Sequence, residues 1–311
     1  MGTWNVINLI AVGTIAFDSI KTPFGEAKGI IGGSVLHFAS SASFFSDCGI
    51  VAAVGADFDM GQIKFLEERN VDLRGIEILD GKTFRWQGMY GYDLNVAFTL
   101  GTELNVLENY KPVLPEAFRS AKFVFLANID PELQAFVIDQ LENPMAYIAL
   151  DTMNFWIERK KEALLKVIER VDMLVVNEAE LRQITMEYSL LKGARKILSM
   201  GPKTVVVKRG EYGVLMVNGE DIFLCPAYPL EEVFDPTGAG DTFAGGVLGY
   251  LSNVGEVSTE SLKQAVIMGC VMASFNVEDF GPRRMVSLTH KEIKERYSKF
   301  KKCVEFGDLR L

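Results

Sequence analysis

Histidine and cysteine are scarce in this 311-residue chain, and their scarcity excludes several kinds of site. The two histidines, His37 and His290, cannot form the HExxH pair of a zinc protease. The four cysteines lie far apart and include no CxxC pair, so we expect free thiols in a reducing compartment. Hydrophobic residues make up 49% and charged residues 23% of the chain, which is typical of a globular protein.

Basic residues are outnumbered, since 32 Lys and Arg face 41 Asp and Glu. A net charge of −9 without a basic block argues against binding to a nucleic-acid backbone. The longest uncharged run, residues 29–46, holds five serines and His37 and is too polar to span a bilayer. Residues 1–5 do not begin a secretory leader. We therefore expect a cytoplasmic protein with neither a nucleic-acid nor a membrane partner.

Short apolar segments alternate with helical patterns along the chain. Strands are predicted at residues 8–13, 50–54, 123–127, 147–150, 173–176 and 204–207, and helices at 35–45 and 58–69. This alternation indicates one α/β domain over residues 1–311, built on a mostly parallel sheet with both faces covered. Ligands of such sheets bind at the carboxyl ends of the strands.

Two segments, residues 14–24 and 82–100, do not fit this alternation. The second is rich in aromatic and β-branched residues with glycine at turn positions, which predicts a β-meander. Together they would form a small sheet that projects from the main body. A lid over a site and a plain edge hairpin both agree with this pattern.

A glycine-rich segment, residues 235–246 (DPTGAGDTFAGG), carries the strongest local signal. A glycine turn entering a helix exposes backbone amides to an anion, and Asp241 in the first turn would be ionised there. A capped helix is the structural alternative. However, Gly245, Gly246 and Gly249 would each cost a helix about 1 kcal/mol, so we expect another element to approach closely. The chain has neither GxxxxGK[ST] nor GxGxxG, so any phosphate is bound on a different scaffold.

Four motifs in order resemble those of the ribokinase-like (PfkB) carbohydrate kinases. They are Gly32-Gly33-Ser34 with Val54-Gly55-x-Asp57-x-x-x-Gly61, then Asn177-x-x-Glu180, then Val207-Lys208-Arg209-Gly210-x-x-Gly213, and last the segment 235–246. The ordered set covers nearly the whole chain. The resemblance implies a ribokinase-like three-layer α/β sandwich, with a central mostly parallel sheet and a small β-sheet lid at about residues 14–24 and 82–100.

The resemblance also implies roles for individual residues. Asp241 would be the catalytic base, and the amides of Gly238, Ala239 and Gly240 the anion hole. ATP would be bound by Lys208, Gly210, Gly213 and the segment 269–281 with Asn276 and Gly281. Asn177 and Glu180 would act on Mg²⁺ through water, although the same pair also fits a helix capping box. Asp235 and Thr237 resemble part of a monovalent-cation (K⁺) site.

On the substrate side, the resemblance points to Asp18, Gly32 and Gly33. His37 departs from the asparagine of ribokinases, and a histidine on an apolar helix face is often a core residue. Alternation along the lid strand and its turn puts Arg85, Gln87 and Tyr90 towards the ligand and Trp86 on the opposite face. An exposed apolar lid face tends to pair, so we predict a homodimer through the lids.

The activity implied is ATP-dependent phosphorylation of a hydroxymethyl group on a sugar. A nucleoside kinase is the alternative within the fold, because Phe17, Trp86 and Tyr90 are able to stack on a base. A sugar-binding protein without catalysis is the alternative outside it.

Overall fold

The computed structural model describes residues 7–305, and within them thirteen strands form two separate sheets. The strands are β1 (Leu9–Val12), β2 (Ala16–Thr22), β3 (Gly25–Gly32), β4 (Cys48–Gly55), β5 (Val71–Leu79), β6 (Arg85–Tyr90), β7 (Ala97–Glu103), β8 (Phe123–Leu126), β9 (Tyr147–Asp151), β10 (Met173–Asn177), β11 (Thr204–Lys208), β12 (Val214–Asn218) and β13 (Asp221–Cys225). The larger sheet has the order β13-β12-β11-β10-β9-β8-β1-β4-β5, and the smaller one β3-β2-β6-β7.

Helices connect the strands of the larger sheet. The α-helices are α1 (Ser34–Ala42), α2 (Lys64–Glu67), α3 (Pro131–Ile138), α4 (Asn154–Arg159), α5 (Lys161–Ile168), α6 (Glu178–Thr185), α7 (Leu190–Leu198), α8 (Ala239–Val254), α9 (Thr259–Asn276), α10 (Arg283–Ser287) and α11 (His290–Val304). Short 3₁₀ helices lie at Met60–Ile63, Asn105–Glu108, Glu116–Phe118 and Gly210–Tyr212.

The larger sheet is covered on both faces. Successive residues of β1 alternate between two hydrophobic clusters, with Leu9 and Ala11 in one and Ile10 and Val12 in the other. All of these side chains are fully buried, as expected for a strand that faces helices on both sides. The seven strands β5, β4, β1, β8, β9, β10 and β11 of the larger sheet are parallel. Only β12 runs in the opposite direction, and it pairs antiparallel with β11 on one side and with the edge strand β13 on the other. The predicted α/β fold with a mostly parallel sheet and a second small sheet is confirmed.

The smaller sheet contains one strand that the sequence did not indicate. Strands β2 and β6 fall in the two predicted segments, but β3 adds residues 25–32 and β7 continues to Glu103. The composition of β3, GEAKGIIG, contains three glycines and two charged residues and therefore lacks the usual strand signal. The helix predicted at 58–69 is broken, because Asp59 caps a 3₁₀ turn through the Gly61 amide and only Lys64–Glu67 is α-helical.

Helices α1 and α8 are in direct backbone contact. A Cβ on Gly245 would lie 2.2 Å from the carbonyl oxygen of Phe38, and one on Gly249 would lie 2.9 Å from the Cα of Ala42. The expectation that another element approaches these helix glycines is confirmed. The contact brings the amino end of α8 close to the amino-terminal half of α1.

No helix within residues 7–305 is both long and apolar enough to cross a membrane. Residues 1–5, on which the expectation about a secretory leader was based, lie outside the described part of the chain.

We expect Gly245→Ala to destabilise the protein by about 1–3 kcal/mol through overpacking, although alanine is the better helix former. Gly193→Ala is the matched control, because its helical neighbours at 3.2 Å are side-chain atoms of Leu181 and Thr185. Urea unfolding of both variants measures the difference. Equal stability of the two variants would contradict close packing of α1 against α8.

Candidate active site

Three neighbouring parallel strands end in polar side chains at one edge of the large sheet. Strand β9 ends at Asp151, β10 at Asn177 and β11 at Lys208. The amino end of α8 reaches the same edge, because Lys208 Nζ lies 2.8 Å from where a Cβ on Gly240 would stand. The structure therefore brings together Asn177, Lys208 and the 238–241 turn at the end of the sheet where parallel sheets bind ligands.

The turn into α8 has the geometry of an anion site. Gly238 is the N-cap residue, with a left-handed φ of 74°, and the first helical bond runs from the Thr242 amide to its carbonyl. The Ala239 amide donates to the Pro236 carbonyl at 3.1 Å. First-turn amides otherwise lack intrahelical acceptors, and the helix dipole adds positive potential. This turn is able to hold a phosphoryl group.

Asp241 lies in the first turn of α8. Its Oδ1 atom is enclosed and accepts no hydrogen bond from any residue in 7–305. Burial and the neighbouring Asp151 carboxylate raise the pKa of Asp241 well above its usual value, although Lys208 opposes the shift. A carboxylate with one oxygen free of hydrogen bonds and a raised pKa is suited to accept a proton from a hydroxyl group.

Asn276 holds this turn through two hydrogen bonds. Its Nδ2 donates to the Thr237 carbonyl at 2.8 Å, which fixes the amide orientation, and its Oδ1 accepts from the Thr242 hydroxyl at 3.0 Å. Asn276 is fully buried. Its side chain holds the loop before α8, and the place of Asn276 beside the nucleotide stays a prediction.

Gly281 has a similar supporting place. Its amide donates to Asp235 Oδ2 at 3.1 Å, and the Thr237 amide donates to Asp235 Oδ1 at 2.8 Å. The structure thus places the Gly281 amide beside the buried Asp235 carboxylate, and contact of Gly281 with a nucleotide stays a prediction. Binding of a monovalent cation at Asp235 and Thr237 stays a prediction.

His37 packs directly under the turn. A Cβ on Gly238 would lie 2.3 Å from the imidazole ring, so only glycine fits there. The Nδ1 atom of His37 lies 3.0 Å from Asn276 Oδ1, and because that oxygen can only accept, Nδ1 must donate. Burial lowers the pKa of His37 to about 4, so the ring is neutral. Its Nε2 is then a buried acceptor without a partner among residues 7–305.

The Asn177 and Glu180 pair forms a capping box at the start of α6. The Glu180 amide donates to Asn177 Oδ1 at 2.8 Å, and the Asn177 amide donates to Glu180 Oε2 at 2.7 Å. The capping box, which was the structural alternative for this pair, is therefore fully formed. Burial raises the pKa of Glu180 to about 7, with Lys208 acting in the opposite direction.

The donor set at this edge suits a hydrated magnesium ion. Mg²⁺ prefers oxygen ligands and retains much of its water, and the edge offers carboxylates from Asp151, Glu180 and Asp241. No group of three or more His, Cys, Asp or Glu within residues 7–305 is close enough to enclose a bare metal ion. Contact with Mg²⁺ through water at Asn177 and Glu180 stays a prediction.

Gly210 and Gly213 bracket a 3₁₀ turn after β11, with left-handed φ values of 55° and 85°. A Cβ on Gly213 would lie 2.1 Å from the Cys225 carbonyl. One on Gly210 would lie 1.6 Å from Oδ1 of Asn95, which belongs to the β6–β7 loop of the small sheet. The small sheet therefore reaches across to the predicted nucleotide loop.

Asp18, Gly32 and Gly33 lie together at the base of the small sheet. A Cβ on Gly32 would fall 1.9 Å from Asp18 Oδ2, and the Gly33 amide is bonded to the Asp18 carboxylate. Asp18 is only 5% exposed. Burial and the negative charge of Asp235 raise the pKa of Asp18 to about 7.

The strand register assigns the two faces of the small sheet. In the pairing of β2 with β6, Asp18 stands opposite Trp86, while Phe17 and Ser19 stand opposite Arg85 and Gln87. Paired residues share a face, so Trp86 lies on the inner face with Asp18. Arg85 binds Asp57 at 2.8 Å, and its guanidinium lies 4.9 Å from the Phe17 ring.

The outward position predicted for Trp86 is therefore wrong. Arg85 and Gln87 lie on the opposite face from Asp18, and their contact with a ligand stays a prediction. Alternation separates two faces but does not say which one is inner.

The inner face of the small sheet is apolar and aromatic. The residues in this cluster are Ile20, Ala27, Ile30, Trp86, Tyr90, Leu94, Phe234 and Phe280. The Trp86 ring lies over Gly88, where a Cβ would be 2.0 Å from it, and its indole N–H donates to the Thr99 hydroxyl at 3.2 Å. Trp86 is thus held flat against the strand beside Asp18.

We expect the free energy of unfolding to fall as the pH rises from about 4 to about 7, because the folded chain retains the Asp18 proton after the unfolded chain has released it. Asp18→Asn should reduce this fall, and exposed Asp47→Asn should not. Urea unfolding across that pH range makes the comparison. Parallel pH profiles for Asp18→Asn and the wild type would contradict the raised pKa.

Comparisons with known proteins agree with this geometry. A model of the pfkB family of carbohydrate kinases matches residues 38–288. A cytidine kinase of Thermococcus kodakarensis is 31% identical over 251 residues, which is 79% of this chain and 89% of that protein. The structure of a Methanocaldococcus jannaschii nucleoside kinase superimposes with a TM-score of 0.75 at 21% identity, covering 95% of this chain and all of that one. The structure of a putative Escherichia coli ribokinase II in complex with ATP and Mg²⁺ superimposes with a TM-score of 0.77 at 20% identity, covering 94% of this chain and 99% of that one.

Proposed function

The chain belongs to the pfkB family of carbohydrate kinases, and we propose that within this family it is an ATP-dependent nucleoside kinase. The phosphoryl acceptor would be the primary hydroxyl of the nucleoside ribose. Similarity to the Thermococcus cytidine kinase supports a nucleoside, with a pyrimidine as the first to test. Phosphorylation of a free sugar, the activity first implied by the motifs, is the competing candidate.

The position of Trp86 carries this proposal. A nucleobase presents two flat apolar faces to an aromatic ring, whereas a free sugar presents only small C–H patches between its hydroxyl groups. The inner lid face offers a fixed indole ring next to Asp18, with apolar neighbours such as Ile20 and Phe280. Ligand sites that combine an aromatic wall with few polar groups favour flat, partly apolar ligands. Asp18 would then bind ribose hydroxyls while Trp86 covers the base.

The transfer chemistry is assigned to residues at the α8 turn. Asp241 would accept the proton of the attacking hydroxyl, since its Oδ1 has no other partner within residues 7–305. The amides of Gly238 and Gly240, with the Lys208 ammonium, would balance the charge of the transferred group. Bound Mg²⁺, held through water near Asn177 and Glu180, would supply additional positive charge at the phosphates.

The outer face of the lid supports the predicted homodimer. Phe98 and Leu100 on edge strand β7 are 53% and 61% exposed. We keep a second copy of this chain as the proposed cover for that face, because an exposed apolar edge strand tends to pair.

Asp241→Asn should lower kcat by about 10²–10⁴, because the amide cannot accept the proton. The melting temperature should stay level or rise, since burial and the neighbouring Asp151 carboxylate make the ionised form of Asp241 unfavourable. Initial rates and thermal melts of the variant, with exposed Asp221→Asn as control, provide the measurement. Near-wild-type turnover would exclude Asp241 as the base, and a wild type without any phosphotransfer would favour the non-catalytic alternative.

Trp86→Ala should raise KM for a nucleoside by about 10–100-fold, the scale of base–aromatic stacking, and leave activity on free ribose unchanged. Trp86→Phe should retain most of the affinity, and Phe98→Ala on the outer face is the matched control. The measurement is a set of kcat and KM values for cytidine, uridine, adenosine, inosine and ribose. A preference for ribose that Trp86→Ala does not alter would overturn the nucleoside proposal.

A further inference from the structure

Asp151 is a buried carboxylate that the sequence motifs did not identify. It is the last residue of β9 and is 5% exposed. The predicted strand stopped one residue earlier, and an aspartate after an apolar run is a weak signal by itself. Its Oδ1 accepts the Thr152 amide at 2.9 Å, and its carbonyl accepts from Gln134 Nε2 at 3.1 Å. Asp151 is therefore held rigidly at the sheet edge.

Lys208 reaches across β10 to this carboxylate. Its Nζ lies 3.4 Å from both Asp151 oxygens, and the two side chains are 19% and 8% exposed. Within residues 7–305, Asp151 is the one carboxylate within ion-pair distance of Lys208. Burial alone would lower the pKa of the Lys208 ammonium, but three carboxylates outweigh it and raise the pKa. These belong to Asp151, Glu180 and Asp241.

The Lys208 ammonium lies between the Asp151 carboxylate and the turn at Gly240. Lys208 Nζ stands over Gly240, in the turn proposed to receive the transferred phosphoryl group. A lysine is a point charge on a flexible stem, so its position depends on its anchor. Without Asp151, the attraction of Glu180 and Asp241 would remain, and either carboxylate would draw the ammonium away from Gly240. An ammonium bonded to Asp241 would also compete with the hydroxyl proton.

We infer that Asp151 is a positioning residue for phosphoryl transfer, which holds the Lys208 ammonium beside Gly240 and away from Asp241. This inference rests on the proposed function of the turn. Asp151 acts through Lys208 and does not touch the reacting atoms. A preorganised donor at such a place is worth about 10²–10³ in kcat, and the loss of its anchor removes part of that.

A double-mutant cycle with Asp151→Asn and Lys208→Met tests the inference. We expect Lys208→Met to lower kcat by about 10²–10³ and Asp151→Asn by at least about tenfold, with KM for the acceptor unchanged. The double variant should be no slower than Lys208→Met, because Asp151 has no effect without the ammonium. In the ligand-free protein, Asp151→Asn should lower the melting temperature because the Lys208 ammonium loses its nearest carboxylate, and the double variant should recover it because that ammonium is removed as well.

Two further variants complete the design. Asp172→Asn is the matched control, because Asp172 also pairs with a lysine, Lys203, at 2.9 Å, but outside the active site. It should leave kcat unchanged. Asp151→Glu keeps the charge and displaces it by one methylene, so it should lower kcat with little change in melting temperature. It also tests the inference if Asp151→Asn does not fold.

Independent effects of the two single substitutions on kcat would overturn the inference, because Asp151 would then act without Lys208. Unchanged kcat in both Asp151→Asn and Asp151→Glu would overturn it as well. A wild type that phosphorylates no nucleoside or sugar would instead overturn the proposed function. Recovery of the melting temperature in the double variant would still report the ion pair in that case.

Discussion

The backbone contact between helices α1 and α8 is the constraint on which the site depends. The two helices are so close at Gly245 that a Cβ there would lie 2.2 Å from the Phe38 carbonyl oxygen. That approach lets the Gly238 turn rest on the His37 ring, and Asn276 then ties the loop before α8 to the same histidine. Larger residues at these glycines would move the amino end of α8 away from α1 and from the His37 ring. The glycines of α8 therefore allow the close helix packing that sets the geometry of the site, and they are not there for flexibility.

The carboxylates at the carboxyl end of the sheet outnumber the one buried lysine, which favours binding of a positively charged group there. One buried ammonium, Lys208, is surrounded by Asp151, Glu180 and Asp241, and burial raises the pKa of each carboxyl. Carboxylates that share one cation in a buried site are costly to ionise together, so additional positive charge is favoured there. A nucleotide accompanied by Mg²⁺ would bring that charge together with the phosphates. His37, kept neutral by burial, adds nothing to the balance and leaves one acceptor atom unused.

The fold and the centre of the site were predictable from sequence because their signals are local. Apolar runs identified the parallel strands, and the 235–246 segment identified the anion turn. The faces of the lid were not predictable, since Arg85 and Trp86 alternate whichever way the strand is turned, and only pairing with β2 decides. Asp151 was missed for a related reason, since its contact with Lys208 joins residues that are distant in sequence. The contact of Asn276 with Thr237 was out of reach for the same reason.

A structure of the protein with a nucleoside and a non-hydrolysable ATP analogue with Mg²⁺ tests the central claim most directly. The decisive quantity is the distance from the nucleoside primary hydroxyl oxygen to the Asp241 carboxylate. The account predicts hydrogen-bond distance, about 2.6–3.2 Å, with the base lying on the Trp86 ring. A primary hydroxyl directed away from Asp241, or a base that leaves Trp86 uncovered, would contradict it.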